Sequence, residues 1–150
     1  MEKKKILLFG GTGLVGTRIT QLLNQKYIIQ APLRSEVDLI SRVEVEGVLD
    51  KNRYDAIVYV AGVTSQNLAE QEKELAMKIN YESIDWISKK ANLLKLPVVY
   101  FSTDAVFPCE ESNKPYTEFQ KTNPLNYYGI TKANGEEAVL SAGDNNLVIF

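Results

Sequence analysis

The feature that most constrains the fold of this 150-residue chain is Phe9-Gly10-Gly11-Thr12-Gly13-Leu14-Val15-Gly16, set between the apolar run Ile6-Leu7-Leu8-Phe9 and a helical pattern. Its glycines fit two registers, Gly11-x-Gly13-x-x-Gly16 and Gly10-x-x-Gly13-x-x-Gly16. Either puts glycine where the backbone turns sharply, where it approaches a pyrophosphate, and where a helix packs close on its strand. Residues 12–15 then offer free N–H groups at a helix N-terminus to an anion. A tight turn with no ligand would use the same residue types. The position after a strand and before a helix is what makes the pattern a dinucleotide cradle.

Strand and helix patterns alternate along the rest of the chain. Residues 5–9 read as a buried parallel strand and 14–24 as a helix with Leu14, Ile19, Leu22 and Leu23 toward the sheet. Residues 27–33 form the second strand, 34–40 a polar loop, and Ser41 caps a helix running to about Lys51. The third strand spans 55–60, a long helical pattern covers 69–94, and the fourth strand is 96–101. Asn123 and Pro124 supply a cap and first position for a helix through about Ser141, and 146–150 begin a fifth strand. This alternation predicts an α/β fold, a doubly wound parallel sheet of Rossmann type with order 3-2-1-4-5, and one NAD(P)-binding domain over residues 1–150. Thr12, Arg34, Asp38, Thr64, Ser102 and Thr103 each follow a strand, where such a sheet binds its ligand.

Composition narrows the partners. With 45% hydrophobic residues and a net charge of −2, the chain is globular and has no basic stripe, so neither nucleic acid nor an anionic membrane is an expected partner. Lys3-Lys4-Lys5 flank the first strand and do not begin a signal peptide. No segment approaches the roughly 18 apolar residues of a membrane span. The single cysteine, Cys109, forms no internal disulfide, and a cytoplasmic location is expected. The absence of histidine excludes a Ser-His-Asp mechanism and, with one cysteine, most zinc sites, so no metal is expected.

Tyr128-Gly129-Ile130-Thr131-Lys132 places a phenol and an ammonium four residues apart on one helical face. A nearby cation favours the phenolate, so the spacing predicts a tyrosine pKa lowered from about 10 toward working pH. An exposed Tyr/Lys pair would show the same spacing, and Tyr127 is a competing aromatic that turns to a different face. Ser102-Thr103-Asp104 at the end of the fourth strand brings a hydroxyl toward the same cleft, although turn and cap residues are of the same type.

In this order the three elements resemble the extended short-chain dehydrogenase/reductase family, and in particular its dTDP-4-dehydrorhamnose reductase branch. The resemblance runs through the glycine loop, Asp38-Leu39, Ala61-Gly62-Val63-Thr64, Ile79-Asn80 and Ser102-Thr103-Asp104-Ala105-Val106-Phe107-Pro108. It continues through Pro115-Tyr116-x-Glu118 and Asn123-Pro124-Leu125-Asn126-x-Tyr128-Gly129-x-Thr131-Lys132-x-x-x-Gly135-Glu136.

The resemblance implies a catalytic triad at Thr103, Tyr128 and Lys132 and hydride transfer from a nicotinamide to the C4 ketone of a nucleotide-linked 4-keto-6-deoxy sugar. Tyr128 protonates the alkoxide, Thr103 hydrogen-bonds the same oxygen, and Lys132 holds the nicotinamide ribose. Gly13-Leu14-Val15 wrap the pyrophosphate, Asp38-Leu39 meet the adenine, and Gly62-Val63-Thr64 line the ribose and nicotinamide channel. Ala105 departs from the branch, which usually has tyrosine there. It also stands where a sugar-nucleotide dehydratase has the glutamate of its Asp-Glu pair, which argues against dehydration. Other reductases or epimerases of the family remain alternatives. So does a non-catalytic NADP-binding subunit like the related methionine adenosyltransferase regulatory subunit.

Members of the family continue for a comparable length, adding a lobe that grips the sugar nucleotide. The chain stops inside the apolar run Leu147-Val148-Ile149-Phe150, so it reads as a truncated form in which cofactor binding is the retained property. Arg34, following Ala31-Pro32-Leu33, suits a 2′-phosphate and favours NADP over NAD, with Glu36 as the counter-candidate. Apolar residues surround the helix near 74–95, with Leu75, Ile79 and Ile87 in one stripe and Met77, Tyr81, Ile84 and Trp86 elsewhere. That spread predicts a homodimer.

Overall fold

The computed structural model describes residues 2–108 and 115–149; Cys109 and Phe150, on which two of the sequence readings rest, lie outside the described residues. Five strands, β1 (Lys5–Phe9), β2 (Ile28–Gln30), β3 (Ala56–Tyr59), β4 (Val98–Phe101) and β5 (Leu147–Ile149), form one wholly parallel sheet. The helices are α1 (Leu14–Leu23), α2 (Arg42–Lys51), α3 (Gln66–Gln71), α4 (Lys73–Met77), α5 (Ser83–Leu93) and α6 (Tyr127–Ala142). A π-helical turn, Lys78–Glu82, joins α4 to α5, and a 3₁₀ turn, Asp104–Val106, follows β4. No helix among the described residues is long and apolar enough to cross a membrane.

The strand order is β2-β1-β3-β4-β5, which corrects the expected 3-2-1-4-5. The reason lies in what each strand can bury. β2 is three residues long, none of them buried, and carries Gln30, so it suits an edge. β3 has Ile57 and Tyr59 without exposed surface and needs a neighbour on each side, which it finds in β1 and β4. The chain therefore reverses across β1, and the switch point, where such sheets bind ligands, falls between β1 and β3.

Right-handed crossovers place α1 on one face of the sheet and α2, α5 and α6 on the other. The main core lies under that second face, where Leu7, Val45, Leu49, Ile57, Ile84, Ile87, Val98 and Val139 pack around Tyr59 and Tyr100. Ile84 and Ala91, at the spacing of an apolar helical face, are part of this core. Leu14 and Leu22 are 91% and 58% exposed, so neither faces the sheet as expected, and Gly16 is the buried residue of α1.

Two boundaries also differ from the sequence reading. The expected helix over 69–94 starts at Gln66, breaks at Glu72, and carries the π-helical turn around the buried Asn80. The cap of α6 is Asn126, whose Oδ1 accepts from Gly129 N at 2.8 Å. Asn123 is engaged elsewhere, donating its backbone N–H to Val106 O at 2.9 Å. Ser41 caps α2 as expected, with its side chain accepting from Glu44 N.

Candidate functional site

The loop between β1 and α1 makes use of the glycines of both registers. Gly10 has φ +93°, Gly13 N donates to Gly10 O at 3.1 Å, and a Cβ on Gly10 would sit 2.5 Å from Ala61 N. Glycine is required at position 10 by both conformation and the adjacent β3 strand end, and at position 11 because a Cβ there would sit 2.5 Å from Ala31 Cβ. At Gly16 a side chain would run into Gly10 O, which lets α1 begin directly over the loop. Gly13 is the N-cap and makes no side-chain cap, so the first-turn amides of Leu14, Val15 and Gly16 face the cleft without helical acceptors.

A cleft of about 600 Å³ opens over this turn at the β1/β3 switch point. Gly10, Gly13, Leu14, Val15, Gly16, Arg34, Asp38, Leu39, Gly62 and Thr64 all line it. Arg34 is exposed at its mouth and makes no hydrogen bond or ion pair among the described residues. Glu36, the competing ribose ligand, is spent on the turn, where its Oε2 accepts from Leu33 N at 2.7 Å. Asp38 is held at the cleft edge by Ile40 N on its carboxylate and by its own N–H on Glu44 Oε2.

Val63 is placed differently. Its side chain is buried with Ala69 and Ala76, and its backbone is gripped by Asn80. Asn80 Oδ1 accepts from Val63 N at 2.8 Å, while Nδ2 donates to Val63 O at 3.1 Å and to Thr131 Oγ1 at 3.0 Å. The sequence reading gave Asn80 no role. The available signal was an amide inside an otherwise apolar helical stripe, which needs partners once buried.

At the carboxyl end of β4, Thr103 begins the 3₁₀ turn and its Oγ1 accepts from Ala105 N at 3.2 Å. The Thr103 hydroxyl donates to Asp104 Oδ1 at 3.2 Å and, on the Tyr128 side, favours the ionised phenol. Burial nevertheless pushes the half-buried phenol above its ordinary pKa, and the charge of Asp104 pushes the same way. The expected lowering by Lys132 is thus corrected. The Lys132 ammonium instead donates to Phe101 O at 2.5 Å and sits 4.0 Å from the Tyr100 ring centroid. Burial brings Lys132 down to about 8, with the Glu136 charge opposing that shift. Tyr127 turns away as expected: its N–H donates to Glu70 Oε1, and its ring lies under the Lys73 ammonium.

A glycine cradle over the switch point, with a tyrosine and a buried lysine one helical turn apart at the neighbouring strand ends, defines a dinucleotide-binding domain of the short-chain dehydrogenase/reductase class. Within that class the chain belongs to the RmlD substrate binding domain family, whose model matches residues 4–150. It is 39% identical over 138 residues to a dTDP-4-dehydrorhamnose reductase of Salmonella typhimurium, covering 89% of this chain and 46% of that protein. It is 29% identical over 155 residues to the methionine adenosyltransferase 2 subunit beta of Rattus norvegicus, covering 98% and 45%. Among solved structures, the dTDP-4-dehydrorhamnose reductase of Bacillus anthracis in complex with NADP superposes with a TM-score of 0.92 at 28% identity, covering 99% of this chain and 53% of that one. The chain spans about half the length of the curated relatives it matches.

Proposed function

We propose that residues 1–150 form the cofactor-binding domain of an NADP-dependent nucleotide-sugar 4-ketoreductase of the dTDP-4-dehydrorhamnose reductase type. The cradle fits such a cofactor. Glycine at positions 10 and 16 keeps clear the space that a side chain would fill, and three amides at the start of α1 suit a pyrophosphate. Arg34, with Glu36 already engaged, supports a 2′-phosphate in preference to a free ribose hydroxyl. Asp38 and Leu39 flank the adenine position, and Gly62 and Thr64 form the channel wall, with Val63 held behind it by Asn80.

The observation that carries the catalytic reading is the placement of Tyr128 and the buried Lys132 one turn apart on α6, with Lys132 anchored to Phe101 O two residues before Thr103. When bound, a nicotinamide supplies a hydride to the C4 carbonyl carbon of the sugar. Thr103 hydrogen-bonds the carbonyl oxygen and Tyr128 gives it the proton, which completes the alcohol. Lys132, largely charged below pH 8, holds the nicotinamide ribose in this reading. The likeness to the adenosyltransferase subunit supports a second reading, cofactor binding without turnover. The proposal extends to a cytoplasmic setting and to a homodimer built on α5 and α6.

A protein of the relatives' full length that carries these residues tests the reading. With NADPH and a dTDP-linked 4-keto-6-deoxy sugar, Tyr128→Phe should lower turnover by about a hundredfold or more while NADPH affinity stays near that of the parent. Equal turnover in the variant removes Tyr128 from the mechanism, and no turnover in the parent favours the binding-subunit reading.

A further inference from the structure

Three side chains at successive turns of α6 engage three consecutive residues at the end of β4. Lys132 donates to Phe101 O, Glu136 accepts from Ser102 Oγ, and Tyr128, one turn before Lys132, lies near enough to the Thr103 hydroxyl for it to act on the phenol. The spacing of four along the helix sets these side chains on one face. Ser102 is fixed on its other side by β5, because its N–H donates to Ile149 O at 2.6 Å. Glu136 is 9% exposed, and a buried carboxylate is retained only when hydrogen-bonded or paired with a cation. Here the hydrogen bond comes from Ser102, and the buried Lys132 one turn earlier places a positive charge nearby without a direct ion pair among the described residues.

We infer that Glu136 is a positioning residue for the catalytic group: its carboxylate pins Ser102 so that the next residue, Thr103, is presented to Tyr128, and it supplies the countercharge that keeps the buried Lys132 protonated. The catalytic part of this role rests on the reductase reading above; the charge coupling does not. Among the described residues, Glu136 is the one charged group that acts on Lys132. β4 contributes the Tyr100 ring and the Phe101 carbonyl, with Tyr59 of β3 behind Tyr100, and Tyr128 stands one turn before Lys132 on α6. Asp104, on the 3₁₀ turn, acts on Tyr128. Burial disfavours the charge on both members of the pair, and each opposes that shift in the other.

Two variants separate the roles. Glu136→Gln keeps a hydrogen-bond acceptor for Ser102 and loses the charge, whereas Glu136→Ala loses both. The ammonium of Lys132 is followed by carbon-13 NMR of lysine-labelled protein without cofactor, with Lys132→Arg assigning the resonance and circular dichroism reporting the fold. The titration midpoint of Lys132 should move to lower pH in Glu136→Gln relative to the parent. In the full-length reductase, Glu136→Gln should lower kcat with the KM for NADPH nearly unchanged, and Glu136→Ala should fall further, by up to about a hundredfold. An unmoved Lys132 midpoint in a folded Glu136→Gln protein overturns the inference. So does parental kcat in Glu136→Ala. A parent without turnover refutes the reductase reading alone, since the NMR titration still decides the coupling.

Discussion

Asn80 holds the backbone of Val63 from both sides, accepting from its N–H at 2.8 Å and donating to its carbonyl at 3.1 Å. The pairing imitates one rung of a sheet with a side-chain amide. It locks the loop after β3, one wall of the cleft, to the helical layer, and the bond from Asn80 Nδ2 to Thr131 Oγ1 extends the link to α6. The π-helical turn around Asn80 is the local irregularity that accompanies this placement.

Asn80→Ala would leave the buried Val63 N–H without its acceptor and Thr131 without its donor. The expected loss is about 3 kcal/mol, from stranded buried polar groups and the vacated volume. Urea unfolding followed by circular dichroism measures it. A loss below about 1 kcal/mol would show that water or a local shift replaces the amide without difficulty.

Lys132 ties stability to pH in a definite direction. Its folded pKa is lowered from 10.5 to about 8, so between those values the unfolded chain binds the proton that the folded chain has released. Stability from this group therefore rises as pH climbs from about 8 to 10.5 and is level just below that window, where both states are charged. Lys132→Met removes the dependence. The unfolding free energy of the parent minus that of the variant should grow across the window; a difference that is flat or falls with pH contradicts burial as the cause.

Association has its own readout. Met77, Tyr81 and Trp86 are partly exposed along the long helical layer, and Ile130 and Leu140 are 38% and 56% exposed on α6. Pairing these surfaces across a two-fold axis would cover them. Light scattering across a dilution series should report a dimer, with the emission of Trp86, the single tryptophan, shifting on dissociation. A monomeric mass at every concentration with constant emission excludes it.

How much of this was legible in the sequence depended on how local each determinant is. The cradle was readable because Gly10 and Gly16 answer to steric demands within a dozen residues. The five strands followed from apolar runs, and Thr12, Arg34, Asp38 and Thr64 from their places after strands, whereas Leu39 and Gly62 came with the family resemblance. Strand order did not follow, because nothing in β3 itself says on which side of β1 it docks. The clue was the brevity of β2 and its Gln30, an edge signature that outweighs the usual order. The Tyr128 and Lys132 spacing was likewise correct as geometry and misleading as electrostatics, since the ammonium goes to Phe101 O, 31 positions away in sequence. The links from Glu136 to Ser102 and from Asn80 to Val63 are equally non-local.

The central claim is that the Gly10–Gly16 cradle binds a dinucleotide and that Arg34 selects the phosphorylated form. Calorimetric titration of this chain with NADPH and with NADH tests it most directly. NADPH should bind more tightly by about tenfold or more, the value of charged hydrogen bonds to one phosphate. Arg34→Ala should erase that margin, and Gly10→Ala should weaken both cofactors. Tighter binding of NADH that is unchanged in Arg34→Ala, or no binding of either cofactor by a folded chain, would contradict the account.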